Sequence, residues 1–204
     1  MINGLNEDQS AALQELANIG MGQAGNSLAL IWKEFVHLSI PRIAMVDASR
    51  LPDLILSFVG DTAVSASRQA FHGGFRGEVL VVVTARDRNG LAQLMGYEGQ
   101  LDAAEREEVL LDIVNILGGA CVGGIAQQVS AEIGFSAPSL IGEDLDPLDV
   151  INPEQLAIDT ALSLEVCFQV ENRSLTAHLV ILLPNNEVGA LADLLDQFLC
   201  TLEA

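Results

Sequence analysis

Basic side chains are scarce in this chain. It has 9 Lys and Arg against 28 Asp and Glu in 204 residues, a formal charge of -19 at pH 7, and Lys33 is its single lysine. Nucleic-acid-binding proteins neutralise phosphates with Lys and Arg, and anionic membrane surfaces attract the same side chains. The composition therefore predicts a protein that binds neither nucleic acid nor a membrane surface.

Long apolar runs and paired cysteines are lacking as well. The longest apolar runs, 79–83 and 179–183, are far shorter than the roughly 20 residues of a membrane-spanning helix. The N-terminus has neither the basic start nor the apolar segment of a signal peptide. Cys121, Cys167 and Cys200 form no CxxC pair, which predicts reduced thiols in a cytoplasmic protein.

Half of the residues are hydrophobic, which is too many for a disordered chain and predicts a folded core. The order of predicted elements occurs twice. In the first half, these are a long helix capped by Asn6 and Gln9 and ending near Trp32, a strand over 37–46 broken at Pro41, a hairpin joining 63–71 to 78–84, and a short helix from Asp87 to Leu94. In the second half, they are a helix over 102–132, a strand near Pro138, an acidic loop over 142–149, a hairpin joining 162–170 to 175–183, and a helix from Asn185 or Asn186 to about Leu202.

The repeated order predicts an α/β (α+β) fold. Two pseudo-symmetric half-domains, each a long helix followed by strands and a β-hairpin, would share a mostly antiparallel sheet with helices packed on it. Residues 1–204 are expected to form a single domain built by internal duplication of about 1–97 and 98–204.

Two polar pairs lie on the long helices. Glu15 and Asn18 are three residues apart, and a helical wheel places them on one face, opposite the apolar stripe of the same helix. Asp112 and Asn115 repeat the spacing in the second half, with Asn115 following Asn18 by 115 minus 18, or 97 residues. A single such pair is usually solvated surface. Two pairs at matching positions favour a functional site.

A proline follows each asparagine by 23 residues, Pro41 after Asn18 and Pro138 after Asn115. These residues resemble the CheC/CheX/FliY phosphatases of bacterial chemotaxis. The signature of that family is Ser or Asp, three residues, Glu, two residues, Asn, 22 residues and Pro, and it often occurs twice. Residues 15–22 are similar to the family's Glu-x-x-Asn-Ile-Gly-x-Gly stretch, and the resemblance covers nearly the whole chain.

The chain departs from this signature in both halves. Ala11 stands where the family has Ser or Asp, and Ser10 is one position off. In the second half, Asp112 replaces the glutamate and Glu108 stands at the Ser/Asp position. Because Asp is one methylene shorter than Glu, the pair in the first half is the first candidate, and whether the second site is active stays open.

The resemblance implies hydrolysis of the aspartyl phosphate on a CheY-like receiver domain. Asn18, and Asn115 in the second copy, would orient the in-line water, while Glu15 or Asp112 would pair with the receiver's lysine. The receiver would bring the Mg²⁺, so the chain needs no metal or cofactor of its own. A CheD-like deamidase is a further candidate partner, and homodimerisation stays open. The alternative is a non-catalytic adaptor or flagellar-switch component that binds a receiver.

Competing motifs are incomplete. Gly20-x-Gly22-x-x-Gly25 matches the dinucleotide fingerprint but follows a helical pattern instead of a strand. Asp144, Asp146 and Asp149 lack the central Gly and terminal Glu of an EF-hand loop. Cys121 has no neighbouring His to activate it as a nucleophile.

Overall fold

The computed structural model describes residues 4–84, 88–97, 99, 101–155, 159–170 and 175–202. This part of the chain forms five helices and eight strands, together with three short 3₁₀ segments at Ala48–Arg50, Pro147–Asp149 and Pro153–Gln155. In chain order the elements are α1 (Glu7–Trp32), β1 (Val36–Leu38), β2 (Arg42–Asp47), α2 (Leu51–Val59), β3 (Val64–Gly73), β4 (Gly77–Thr84), α3 (Arg88–Leu94), α4 (Ala103–Gln128), β5 (Ile133–Phe135), β6 (Ser139–Leu145), β7 (Thr160–Val170), β8 (Leu175–Pro184) and α5 (Asn185–Leu202).

Both long helices begin with a capping box. The Asn6 side chain accepts a hydrogen bond from the Gln9 amide at 2.8 Å, and the Gln9 side chain accepts one from the Asn6 amide at 2.8 Å. Asp102 and Glu105 exchange the same two bonds at the start of α4. Each box satisfies amide groups that have no partner within the helix. The predicted start of α1 is confirmed.

All strand pairs in the sheet are antiparallel, and the order β1-β7-β8-β4-β3-β5 is completed by β2 on β7 and β6 on β3. The register repeats between the halves. Arg42 pairs with Glu165 and Arg68 pairs with Ser139, and both 139 minus 42 and 165 minus 68 are 97 residues. The predicted fold class, two pseudo-symmetric halves sharing an antiparallel sheet, is confirmed. The division of a single domain at about residue 97 by duplication stays a prediction, because register shows geometry and not ancestry.

The sheet is covered on both faces. The helices α1, α4 and α5 pack on one face, where they bury the larger core cluster. A smaller cluster on the opposite face is closed by α2, through Leu51 and Ile55, and by Val150 and Ile151 of the second half. By length and mean hydropathy α4 could cross a membrane, but 61% of its most apolar stretch is buried inside the protein, as in a core helix.

Glycines bring α1 and α4 into direct backbone contact. A Cβ added at Gly20 would lie 3.0 Å from the Ile125 amide nitrogen, and one added at Gly124 would lie 3.0 Å from the Gly20 Cα. The stretch that matches the dinucleotide fingerprint therefore lies inside a continuous helix, where Gly20 serves close helix packing.

Three parts of the predicted element order were wrong or missing. First, α4 ends at Gln128 instead of residue 132, because Ser130 adopts a left-handed φ of 54° and turns the chain into β5. The acidic loop over 142–149 does not exist as predicted: residues 142–145 belong to β6, and Asp146 caps a 3₁₀ segment by accepting from the Leu148 amide at 2.9 Å. The helix α2 was not predicted at all. Asp87 and the hairpin turn 171–174 lie outside the described residues.

Candidate functional site

The first candidate pair lies on the solvent side of α1. Glu15 and Asn18 are exposed, whereas Leu13, Leu16 and Ala17 of the same turns are buried, as the helical wheel predicts. Neither polar side chain forms a hydrogen bond or ion pair within the described part of the chain. Both groups are therefore available to a partner that docks on this face of α1.

Ser10 cannot substitute for the missing Ser or Asp of the signature. Its hydroxyl donates to the Asn6 carbonyl at 2.7 Å and is thereby engaged in the first turn of α1. Ala11, which occupies the signature position, is exposed and has no polar group to offer. The first site consequently consists of a carboxylate and a carboxamide alone.

The loop around Pro41 contacts α1 through its backbone. Gln14, adjacent to Glu15, donates from Nε2 to the Pro41 carbonyl at 3.1 Å. Pro41 is buried, between β1 and β2. The 23 residues from Asn18 to Pro41 therefore run to the end of α1 and back along β1. They bring Pro41, at the break between β1 and β2, into contact with the helix that carries Asn18.

The second candidate pair, Asp112 and Asn115, is exposed on α4, while Ile113 and Val114 are buried. Asn115 differs from Asn18 in having a partner. Its Oδ1 accepts a hydrogen bond from Nε2 of Gln69 at 2.9 Å. Sequence analysis missed Gln69, because two other polar residues, Ser65 and Ser67, share its face of β3 and nothing in the alternation singles it out.

Acidic side chains surround the second pair. The Tyr97 hydroxyl lies near Glu108, the residue at the Ser/Asp position of the signature. Desolvation raises the pKa of Tyr97, and the nearby carboxylates of Glu108, Asp112 and Glu105 raise it further. The hydroxyl therefore stays protonated and remains a donor at neutral pH.

Other nucleophiles and metal ligands do not gather at either pair. Cys121 is fully buried, and burial raises the pKa of its thiol, so it is an inert core residue. Among the described residues, no three His, Cys, Asp or Glu side chains are grouped as a metal ion requires. His178 contacts Glu165 at 3.2 Å, on the sheet face opposite α1 and α4, and is not part of either pair.

No family model matches the chain, and no curated protein matches it in sequence. Solved structures do match it. FliY of Thermotoga maritima superposes with a TM-score of 0.70 at 16% identity, covering 95% of this chain and 98% of that one. The chemotaxis protein CheX of Desulfovibrio desulfuricans matches with a TM-score of 0.56 at 12% identity, over 83% and 99% of the two chains. A chain of the FliG–FliM complex of H. pylori matches with a TM-score of 0.60 at 10% identity, over 93% and 100%.

These likenesses show that the chain has the fold shared by CheC-like, CheX, FliY and FliM middle-domain structures. They extend along nearly the whole length of the proteins compared. At such low identity they show the fold alone, and that fold is used both by chemotaxis proteins and by a component of the FliG–FliM complex. The function of this protein must therefore be argued from the site.

Proposed function

We propose that this protein is a cytoplasmic phosphatase of the CheC/CheX/FliY family that hydrolyses the aspartyl phosphate of a CheY-like receiver domain. The observation that carries the proposal is the display of an acid-x-x-Asn pair on the exposed face of each long helix, opposite its buried stripe. Duplication alone explains the shared spacing. It does not explain why an amide is exposed at both positions.

The chemistry suits these side chains. An acyl phosphate is already reactive, so a helper protein needs chiefly to place a water in line with the phosphorus. A carboxamide can accept a hydrogen bond from that water, and it does not titrate. In this proposal Asn18 orients the water and the exposed carboxylate of Glu15 pairs with the receiver's lysine, which fixes the register of the two proteins.

The second site would act in the same way through Asn115 and Asp112. The receiver supplies the phosphorylated aspartate and the Mg²⁺, and the chain contributes no metal or covalent intermediate in this proposal. Asp112 reaches about one methylene less far than a glutamate, so its pairing with a receiver lysine is expected to be the weaker of the two.

Phosphate release from a phosphorylated receiver with Mg²⁺ tests the proposal. The wild type is expected to accelerate release over the receiver alone. At receiver concentrations well below the KM of the second site, Asn18→Ala is expected to lose most of that acceleration because the water is no longer oriented. Asn26→Ala is the matched control, since Asn26 is another exposed amide two turns further along α1. Loss of activity in Asn26→Ala equal to that in Asn18→Ala would contradict the assignment.

A non-catalytic adaptor or flagellar-switch component is the second candidate. The likeness to a chain of the FliG–FliM complex favours it, as do Ala11 and Asp112, the two departures from the signature. Tight binding of the phosphorylated receiver with no acceleration of phosphate release would decide for the adaptor. A CheD-like deamidase and a second copy of this chain are further proposed partners, and a pull-down with each separates them from the receiver.

A further inference from the structure

Gln69 is a buried amide that joins the sheet to the second site. It lies in β3 on the face that α4 covers, and 2% of it is exposed. Its Nε2 donates to Asn115 Oδ1 at 2.9 Å and to the Ser136 carbonyl at 2.8 Å. One side-chain nitrogen therefore binds both the site asparagine and the loop that precedes Pro138.

The two bonds define which way the Asn115 amide points. A backbone carbonyl can only accept, so the Gln69 atom that faces Ser136 must be the nitrogen. That nitrogen can only donate, so the Asn115 atom that faces it must be the oxygen. The Asn115 nitrogen consequently points away from Gln69, and Oδ1 keeps one lone pair for a further hydrogen bond.

The arrangement carries a cost that packing alone does not explain. The Gln69 Oε1 is buried and has no hydrogen-bond partner among the described residues. A buried amide with one unsatisfied acceptor is less favourable than an apolar side chain of the same shape. The pseudo-equivalent position, 166 minus 69 or 97 residues later, is Val166 in β7 of the second half, and this buried residue is apolar.

The side chains of Asn18 and Asn115 therefore differ in how freely they can rotate. Asn18 has no hydrogen bond to the described part of the chain, whereas Asn115 is held by a side chain that is itself fixed by a second bond. A catalytic group that is already oriented loses less freedom when the reacting geometry forms.

We propose that Gln69 is a positioning residue that holds the carboxamide of Asn115, which makes the second site the pre-organised one. This inference rests on the proposed phosphatase function. It assigns a different weakness to each site: the shorter Asp112 raises the KM of the second site, whereas the unrestrained Asn18 lowers the kcat of the first.

The test measures phosphate release in an Asn18→Ala background, where the second site acts alone. Gln69→Leu, which keeps the bulk but removes the donor, is expected to lower kcat by about tenfold to a hundredfold with KM unchanged. Ser67→Ala is the matched control. It deletes another buried bond between β3 and α4, from Ser67 Oγ to the Leu110 carbonyl at 2.7 Å, without touching Asn115, and is expected to leave kcat unchanged. An equal loss of kcat in both variants would overturn the proposal.

A second background separates positioning from general damage. With Asn115→Ala, only the first site acts, and adding Gln69→Leu is expected to change neither kcat nor KM. A further loss of activity in that background would show that Gln69 acts by supporting the fold and not by positioning Asn115, which would overturn the inference.

A readout without catalysis keeps the inference distinguishable from the proposed function. In the wild-type protein, the ¹⁵N order parameter of the Asn115 side-chain amide is expected to exceed that of Asn18, and in Gln69→Leu it is expected to fall to the Asn18 value. This holds even if no receiver is dephosphorylated. An Asn115 amide as mobile as that of Asn18 in the wild type would overturn the inference, whatever the activity.

Discussion

Gly20→Ala tests whether the backbone contact between α1 and α4 sets the packing of the two helices that carry the candidate sites. The added Cβ would lie 3.0 Å from the Ile125 nitrogen and 3.2 Å from the Gly124 carbonyl carbon. Backbone atoms cannot rotate away as a flexible side chain can, so the helices must separate by a few tenths of an ångström. Overpacking of this kind costs about 1–3 kcal/mol.

Gly22→Ala, in the same helix, is the matched control. A Cβ at Gly22 meets no atom of the described structure within 4 Å, beyond its own chain neighbours and helix backbone. Both substitutions gain the same helix propensity, about 1 kcal/mol, so this gain cancels when the two variants are compared. Gly22→Ala should therefore be stabilised, and Gly20→Ala should lie about 1–3 kcal/mol below it.

Thermal unfolding followed by circular dichroism measures the difference. For a chain of this size, 1 kcal/mol corresponds to about 2–4 °C in Tm, so a separation on the order of 2–12 °C is expected. A Gly20→Ala protein that melts at or above the temperature of Gly22→Ala would refute the close-contact reasoning. It would show that the helices can move apart at no cost.

Three further predictions concern buried and exposed groups. In the wild type, Nδ1 of buried His178 lies 3.2 Å from a carboxylate oxygen of Glu165. Glu165→Leu removes this partner and should lower the free energy of unfolding, measured in urea, by about 1–3 kcal/mol. The double variant Glu165→Leu/His178→Phe removes both polar groups and should lie closer to wild type. Cys200 is exposed and should react with a thiol reagent in the native state, while Cys121, with its raised pKa and full burial, should react only after unfolding. Because Cys167 is half-buried, the test uses Cys167→Ser/Cys200→Ser, and fast labelling of that variant contradicts the prediction. Burial raises the pKa of Glu78 above its ordinary value of 4.5, so the native state binds this proton more tightly than the unfolded chain does. The stability that this proton provides is present below pH 4.5 and is lost as the pH rises through the native pKa. Relative to wild type, Glu78→Gln should therefore be more stable at about pH 7 than at about pH 4.

Local signals were enough to predict most of the fold. Capping residues predicted where α1 begins, and alternating apolar residues predicted the two long hairpins. The helix α2 was missed although the sequence contains a signal for it: buried Leu51 and Ile55 are four residues apart on one face, and exposed Asp53 and Ser57 are four residues apart on the opposite face. The end of α4 was placed four residues too late because apolar Val129 and Ile133 prolong the helical spacing.

The candidate site divides in the same way between local and non-local information. The exposure of all four residues follows from the helical period, which the sequence contains. The bond between Gln69 and Asn115 joins residues 46 positions apart and depends on how α4 crosses β3, which no spacing within either element encodes. Sequence analysis therefore ranked the two sites by the length of an acidic side chain, whereas the structure adds the freedom of the amide as a second criterion.

Net charge and recognition act in opposite directions at the proposed sites. An aspartyl phosphate is anionic, so a protein with a formal charge of -19 repels it at long range, and the bulk charge cannot steer the encounter. Salt screens that repulsion beyond a distance of about 8–10 Å. Salt has much less effect on a pair of charges that are in contact and have lost their water. On α1, Ile19 is 38% exposed and lies next to Asn18, so a docked receiver would find apolar surface beside the polar pair. Specificity in this proposal therefore depends on one carboxylate that meets one lysine and on the apolar surface beside it, while the remaining acidic side chains keep a half-apolar chain in solution.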